Sequence, residues 1–176
     1  LEKRGELDTA VFILQFINEN DEFARESRYM QEGEPGGVSQ TDLAIEIETE
    51  LQMAELHWKN RRWDMAFECY LRVLELGYEE YRSLIEPIDL IIKRVSDVRM
   101  DQLIFLADFF AEHRDWRRCL NYALRGLHQD PNSEEMGHRV RQACDRILIE
   151  YPEDWDVRLI HGDEHLRAGN IERAMQ

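Results

Sequence analysis

The stretch Met100–Ser133, MDQLIFLADFFAEHRDWRRCLNYALRGLHQDPNS, decides the fold. It reads as two helices joined by the turn Arg114-Asp115-Trp116 and stopped at Asp130-Pro131. Leu103, Leu106 and Phe110 recur at three- and four-residue spacing around the small Ala107, as one buried helix face requires. Cys119, three positions after Trp116, is a second small side chain where a neighbouring helix can approach closely. Ser133 caps a further helix, and Glu134 and Glu135 suit the positive end of its dipole.

The same pattern recurs along the chain. A small or charged turn, an apolar residue and a small residue three positions later appear in Gly5-Glu6-Leu7…Ala10, Arg61-Arg62-Trp63…Ala66, Arg114-Asp115-Trp116…Cys119 and Gly169-Asn170-Ile171…Ala174. The small residues lie 56, 53 and 55 positions apart, a spacing that indicates an internal repeat. Each pattern opens an amphipathic helix; in the second, Phe67, Tyr70, Val73, Leu74 and Leu76 form the apolar face. Preceding helices are expected over roughly 40–59, 98–113 and 154–167. The segments 79–96 and 134–150 also read as helical, the first through Leu84, Ile85, Ile88, Ile91, Ile92 and Val95. Tyr151-Pro152-Glu153-Asp154 ends one helix and starts the next, as Asp130–Ser133 does.

Residues 100–133 resemble a tetratricopeptide repeat of the standard 34-residue length. Leu103, Leu106, Ala107, Phe110, Trp116, Cys119 and Pro131 fall where that family has its large, small and terminating residues. Residues 47–80 are similar through Met53, Ala54, His57, Trp63, Ala66 and Tyr70. Residues 155–176 resemble a truncated copy through Gly162, His165, Gly169 and Ala174, and residues 5–20 a second helix whose first lies upstream. Consecutive family copies sit 34 residues apart, whereas about 20 more residues intervene here. The expected fold is therefore all-α: a tetratricopeptide-like α-α superhelix with an extra helix in each ~55-residue unit. Residues 1–176 read as one such region of a longer protein. A flexible loop at 31–39 (Glu32-Gly33-Glu34-Pro35-Gly36-Gly37) interrupts it, with Ser39 and Asp42 capping the next helix. The loop is no phosphate cradle: no Gly-Lys-Ser/Thr follows, and its glutamates repel phosphate.

The resemblance implies that the first helix of each pair lines a ligand groove. The second position of these helices holds Glu48, Asp101 and Asp156; the fifth Leu51, Ile104 and Leu159; the ninth Glu55, Asp108 and Asp163; the twelfth Trp58, Ala111 and Leu166. Those positions share one helix face. Stacked, they form an aliphatic stripe between two acid ladders, a surface for a basic or amphipathic peptide. The alternative is that the aliphatic residues meet the extra helices and the acids are solvated charge. Members of the family that grip chaperone carboxylate tails use Lys, Asn and Arg at such positions, so that activity does not transfer.

Composition fits a protein-binding role. Apolar residues make up 43%, with seven Phe, six Tyr and four Trp, which suffices for a core and argues against disorder. Asp and Glu number 37 against 22 Lys and Arg, a net charge of −15. Such a surface repels nucleic-acid phosphates and anionic membranes and attracts basic protein segments. Cys69, Cys119 and Cys144 sit in apolar helical patterns, so a disulfide framework is not expected. The cytoplasm or another reducing intracellular compartment is, with the nucleus left open. No apolar stretch approaches a membrane span. The chain starts at Leu1, which leaves a removed targeting segment open.

No cofactor, metal or catalytic signature emerges. His161 and His165 lie four apart on one helix face, a possible zinc pair, but Gly162 stands where a metalloprotease glutamate belongs, and both histidines occupy packing positions. The expected function is a protein-interaction scaffold, with end-to-end self-association through apolar terminal halves such as Val11, Phe12, Leu14 and Phe16. The alternative is a regulatory and dimerisation domain: residues 42–143 are similar in element order to the helical domain of bacterial transcriptional activators. Their tail is matched by Asp130-Pro131-Asn132-Ser133-Glu134-Glu135…Arg139…Arg141, with DNA contact left to a separate module. An enzyme of unknown class is the remaining alternative.

Overall fold

In a computed structural model of the chain, residues 40–95 and 98–170 are described. Helices make up 79% of them, with no strand among the described residues, so the fold is all-α. Two compact units divide at Asp97 and Val98. The first contains α1 (Gln40–Lys59), α2 (Trp63–Glu75), a 3₁₀ turn (Tyr81–Leu84) and α3 (Ile85–Ile92). The second contains α4 (Met100–Glu112), α5 (Trp116–Gln129), α6 (Glu134–Glu150) and α7 (Trp155–Arg167). The helices expected over 40–59, 98–113, 134–150 and 154–167 are all present, and the 79–96 segment contains the 3₁₀ turn and α3. The segments 5–20, 31–39 and 171–176 lie outside the described residues.

One turn geometry closes four of the helices. Arg61 (φ 59°), Gly77 (φ 77°), Arg114 (φ 59°) and Gly169 (φ 75°) each adopt the left-handed conformation just past a helix end. The following amide reaches back five residues: Arg62 N–H to the His57 carbonyl at 3.0 Å, Asp115 to Phe110 at 2.8 Å and Asn170 to His165 at 2.8 Å. This is the Schellman arrangement, which satisfies terminal carbonyls and reverses the chain. It falls five residues before Ala66, Cys119 and Ala174, so the turn has the same phase as the small residues.

The core of the first unit gathers Ala54, Ala66, Phe67, Val73, Ile88 and Ile91. In the second, Leu103, Leu106, Ala107 and Phe110 of α4 are buried with Cys119, Tyr122 and Ala123 of α5 and Met136, Val140 and Cys144 of α6. The Phe110 and Tyr122 rings stack at 5.5 Å. Gly126 of α5 has to be small, because a Cβ there would lie 2.8 Å from the Met136 Cγ of α6. Trp63 and Trp116, which open α2 and α5, each sit under a guanidinium of their own unit, Arg94 from the turn after α3 and Arg146 from α6. Arg94 lies 4.7 Å from the Trp63 centroid and Arg146 5.7 Å from that of Trp116.

Polar side chains complete the ends. Asp115, Ser133 and Asp154 cap α5, α6 and α7 by accepting from the amides of Arg118, Met136 and Val157. Ser133 and Asp154 are the caps read from the Asp-Pro and Tyr-Pro segments.

Arg61 and Arg114 carry a Cβ in a conformation that costs an L-residue roughly 1–2 kcal/mol, part of which glycine returns as unfolded-chain entropy. Both side chains are exposed. Replacing either by glycine is expected to stabilise the chain by ~0.5–1 kcal/mol, read as a higher urea midpoint at unchanged slope. A lower midpoint would show that the arginine side chain, not the backbone, decides this turn.

Candidate functional site

The ten candidate groove residues occupy one face each of α1, α4 and α7. On α1, Glu48 is exposed and accepts from Gln52 at 3.2 Å, while Glu55 pairs with Lys59 at 3.3 Å. Leu51 and Trp58 are half-buried, the Trp58 ring meeting Trp63 edge-on at 5.1 Å. On α4, Asp101 is held by Arg99 at 3.2 Å, and Ile104 and Ala111 are half-buried. On α7, Asp156, Leu159 and Asp163 are all exposed, and neither acid has an ion-pair partner among the described residues.

Asp108 differs from the other acids. Its two oxygens accept from Nε and Nη2 of Arg139 on α6, both at 2.7 Å. The Arg139 side chain is only 14% exposed and also reaches Glu135. This two-pronged bond raises the Arg139 pKa further above its ordinary value. Asp108 therefore ties α4 to α6 and has little capacity left for a ligand. The sequence named Arg139 only within the activator-like tail and missed it as the partner of Asp108, because helical periodicity marks faces within an element, not the residue another helix will meet.

The remaining singled-out groups serve the fold. His165 is buried; its Nε2 lies 3.0 Å from Nε2 of His161, which in turn lies 2.9 Å from Asp145 Oδ1 of α6. His161 Nε2 has one hydrogen at most when neutral, so it can serve Asp145 or His165 but not both. Among the described residues no group of three or more His, Cys, Asp or Glu is placed to hold a metal ion. The three thiols are buried and free. Burial pushes Cys69 and Cys144 up to about 12 and Cys119 up to about 11, leaving no thiolate near neutrality for nucleophilic work. A cavity of about 780 Å³ between the α5–α6 turn and the end of α7 mixes Arg141, Arg167 and His138 with Glu134 and Glu164. Its mixed charges select neither ion sign.

His57 is buried at the end of α1, and burial, then Arg62, lower its pKa, with Asp64 opposing.

No model of a known protein family matches the chain. No curated protein sequence is similar to it either.

Asp108→Asn is expected to cost ~1–2 kcal/mol by weakening the fork that holds Arg139, whereas Asp163→Asn should stay within ~0.5 kcal/mol. Urea midpoints of the two variants check this, and equal midpoints would remove the distinction. A second expectation concerns pH. The folded pKa of His57 lies below its unfolded value near 6.5, so above that pH both states are neutral and the group is silent. Below it the unfolded chain takes up the proton first, and stability falls as pH drops. His57→Met should flatten the decline in midpoint between about pH 7 and 5; an unchanged slope would clear His57 of any part in it.

Proposed function

We propose that the chain is a tetratricopeptide-type helical array that holds a basic, amphipathic segment of a partner protein on acid-flanked aliphatic helix faces. The observation that carries this reading is the common phase of two independent features. The left-handed closing turn recurs at residues 61, 114 and 169. Acid, aliphatic and acid residues occupy matching positions before each of those turns, as Glu48-Leu51-Glu55, Asp101-Ile104-Asp108 and Asp156-Leu159-Asp163.

The acids contribute unequally. Glu55, Asp101 and Asp108 are already engaged with Lys59, Arg99 and Arg139. Asp156 and Asp163 keep their charge for a ligand. A partner's Lys or Arg gains most there, since no internal cation has to be displaced first. Exposed charge attraction is screened over ~8–10 Å at ordinary salt, so affinity should fall as salt rises.

The partner retained by the full chain should bind the Asp163→Lys variant about tenfold more weakly, the sum of a lost attraction and a new repulsion. Glu79→Lys, at an exposed acid between α2 and the 3₁₀ turn, should change affinity less than about twofold under the same salt. Calorimetric titration of the isolated partner reads both. Equal losses would reduce the reading to general acidity.

A further inference from the structure

We infer that the outward face of α7 is a docking strip for one amphipathic helix of a partner, its edges Lys or Arg and its centre aliphatic. The inference deepens the partner-binding reading and rests on it. Trp155, Leu159 and Leu166 are 66%, 68% and 54% exposed. At ~100° per residue they fall within ~40° of one another, on the side opposite the buried Val157, Glu164 and His165. Gly162 lies between them on the same line, so a second helix can approach closely at the middle of the stripe. From Trp155 to Leu166 the stripe rises ~16 Å, about three helical turns, the length of a short recognition helix.

Charge identifies the occupant. Asp156 and Asp163 flank the stripe along one edge, and Glu150 and Glu153 precede it; all four are exposed without an ion-pair partner among the described residues. Of the arginines on or near α7, Arg167 and Arg117 are paired with acids, Arg158 keeps its charge, and Arg141 lines the cavity beside Glu164 on the opposite face of the helix. Arg158 lies over the Trp155 ring at 5.2 Å and donates to the Pro152 carbonyl at 2.7 Å. Arg167 pairs with Glu164, and Arg117 binds Asp154 at 2.6 Å. Four exposed acids against the one uncompensated cation, Arg158, leave the charge bordering the apolar stripe net negative, which favours a helix carrying basic residues along the Asp156–Asp163 edge over an acidic one.

The test uses the full chain and three synthetic peptides: a Leu/Lys peptide amphipathic at helical spacing, the same composition in shuffled order, and a Leu/Glu counterpart. The expected result is binding of the first alone, measured by anisotropy of the labelled peptide. It should weaken with salt and weaken roughly tenfold or more in Leu159→Ser. Circular dichroism of the variant checks that its helices are intact, and Leu166→Ser provides an independent second variant. Binding of the shuffled peptide as tightly as the ordered one would overturn the inference, as would affinity unchanged in both variants. A dimer that Leu159→Ser dissociates would assign the stripe to a second copy of this chain. Trp155 emission shielded from acrylamide in the uncomplexed chain, judged against Trp155→Phe, would assign it to another segment of the same chain. Either outcome rejects a partner helix. If the isolated natural partner binds Leu159→Ser as it binds the original chain, the partner-binding reading stands and the strip is not its site. If the chain retains no partner at all, both fail.

Discussion

Four of the seven α-helices among the described residues end when one residue enters the left-handed region and the next amide turns back onto a carbonyl of the last turn. The arrangement at Arg61 and Arg114 fixes more than a helix end. It reverses the chain within three residues, and so determines which side chains of α1 face α2 and which of α4 face α5. Trp63 and Trp116 follow closely, beneath Arg94 from the turn after α3 and Arg146 of α6. Three positions further on, Ala66 and Cys119 are fully buried. A different turn would rotate the second helix and replace those small residues at the crossing with larger neighbours. That the strained conformation is tolerated at two arginines indicates how firmly the flanking helices impose it.

The charge excess is partly consumed within the fold. Glu46 is buried against Arg72 of α2 at 3.3 Å, Asp108 is clamped by Arg139, and Asp154 is held by Arg117. The bond from Arg117, with the amide caps, keeps Asp154 below the ordinary carboxylate range. These acids belong to structure. The net charge of −15 is therefore expressed by the remainder, and on α7 the remainder borders exposed apolar surface. A solvated acidic surface needs no large apolar side chains among its charges, and this combination is what supports the proposed docking strip.

Much of the helical order was legible in the residues themselves. Helix positions and the caps at Ser133 and Asp154 follow from apolar spacing and from Asp-Pro and Tyr-Pro punctuation. The buried small residues follow from phase. What pattern could not supply were contacts made between elements. Asp108 reads as a groove acid on its own helix, yet its use is decided by Arg139, 31 residues away on a segment that reads as an insertion. Similarly, Arg61 and Arg114 look like ordinary turn residues, because nothing in composition marks an arginine for a left-handed conformation. On α7, Asp156 and Asp163 have no ion-pair partner among the described residues, and Leu159 is exposed.

That helix is also the one whose polarity runs against expectation. Its packed face carries Glu164 and His165 beside Val157, and its solvent face carries Trp155, Leu159 and Leu166. Hydrophobic burial alone would turn α7 the other way round. What holds it instead is polar: the bond from Arg117 of α5 to its cap Asp154, and the contact of His161 with Asp145 of α6. Polar contacts fix orientation well but contribute modest net stability, because each replaces a bond to water. Elements held in this way belong to the less stable part of a fold. A ligand covering the apolar face would supply the burial that α7 lacks, and by linkage would stabilise the helix as its concentration exceeds its dissociation constant. A ligand bound on the proposed strip would thus couple its own binding to the local order of α7 through the inverted polarity of a single helix.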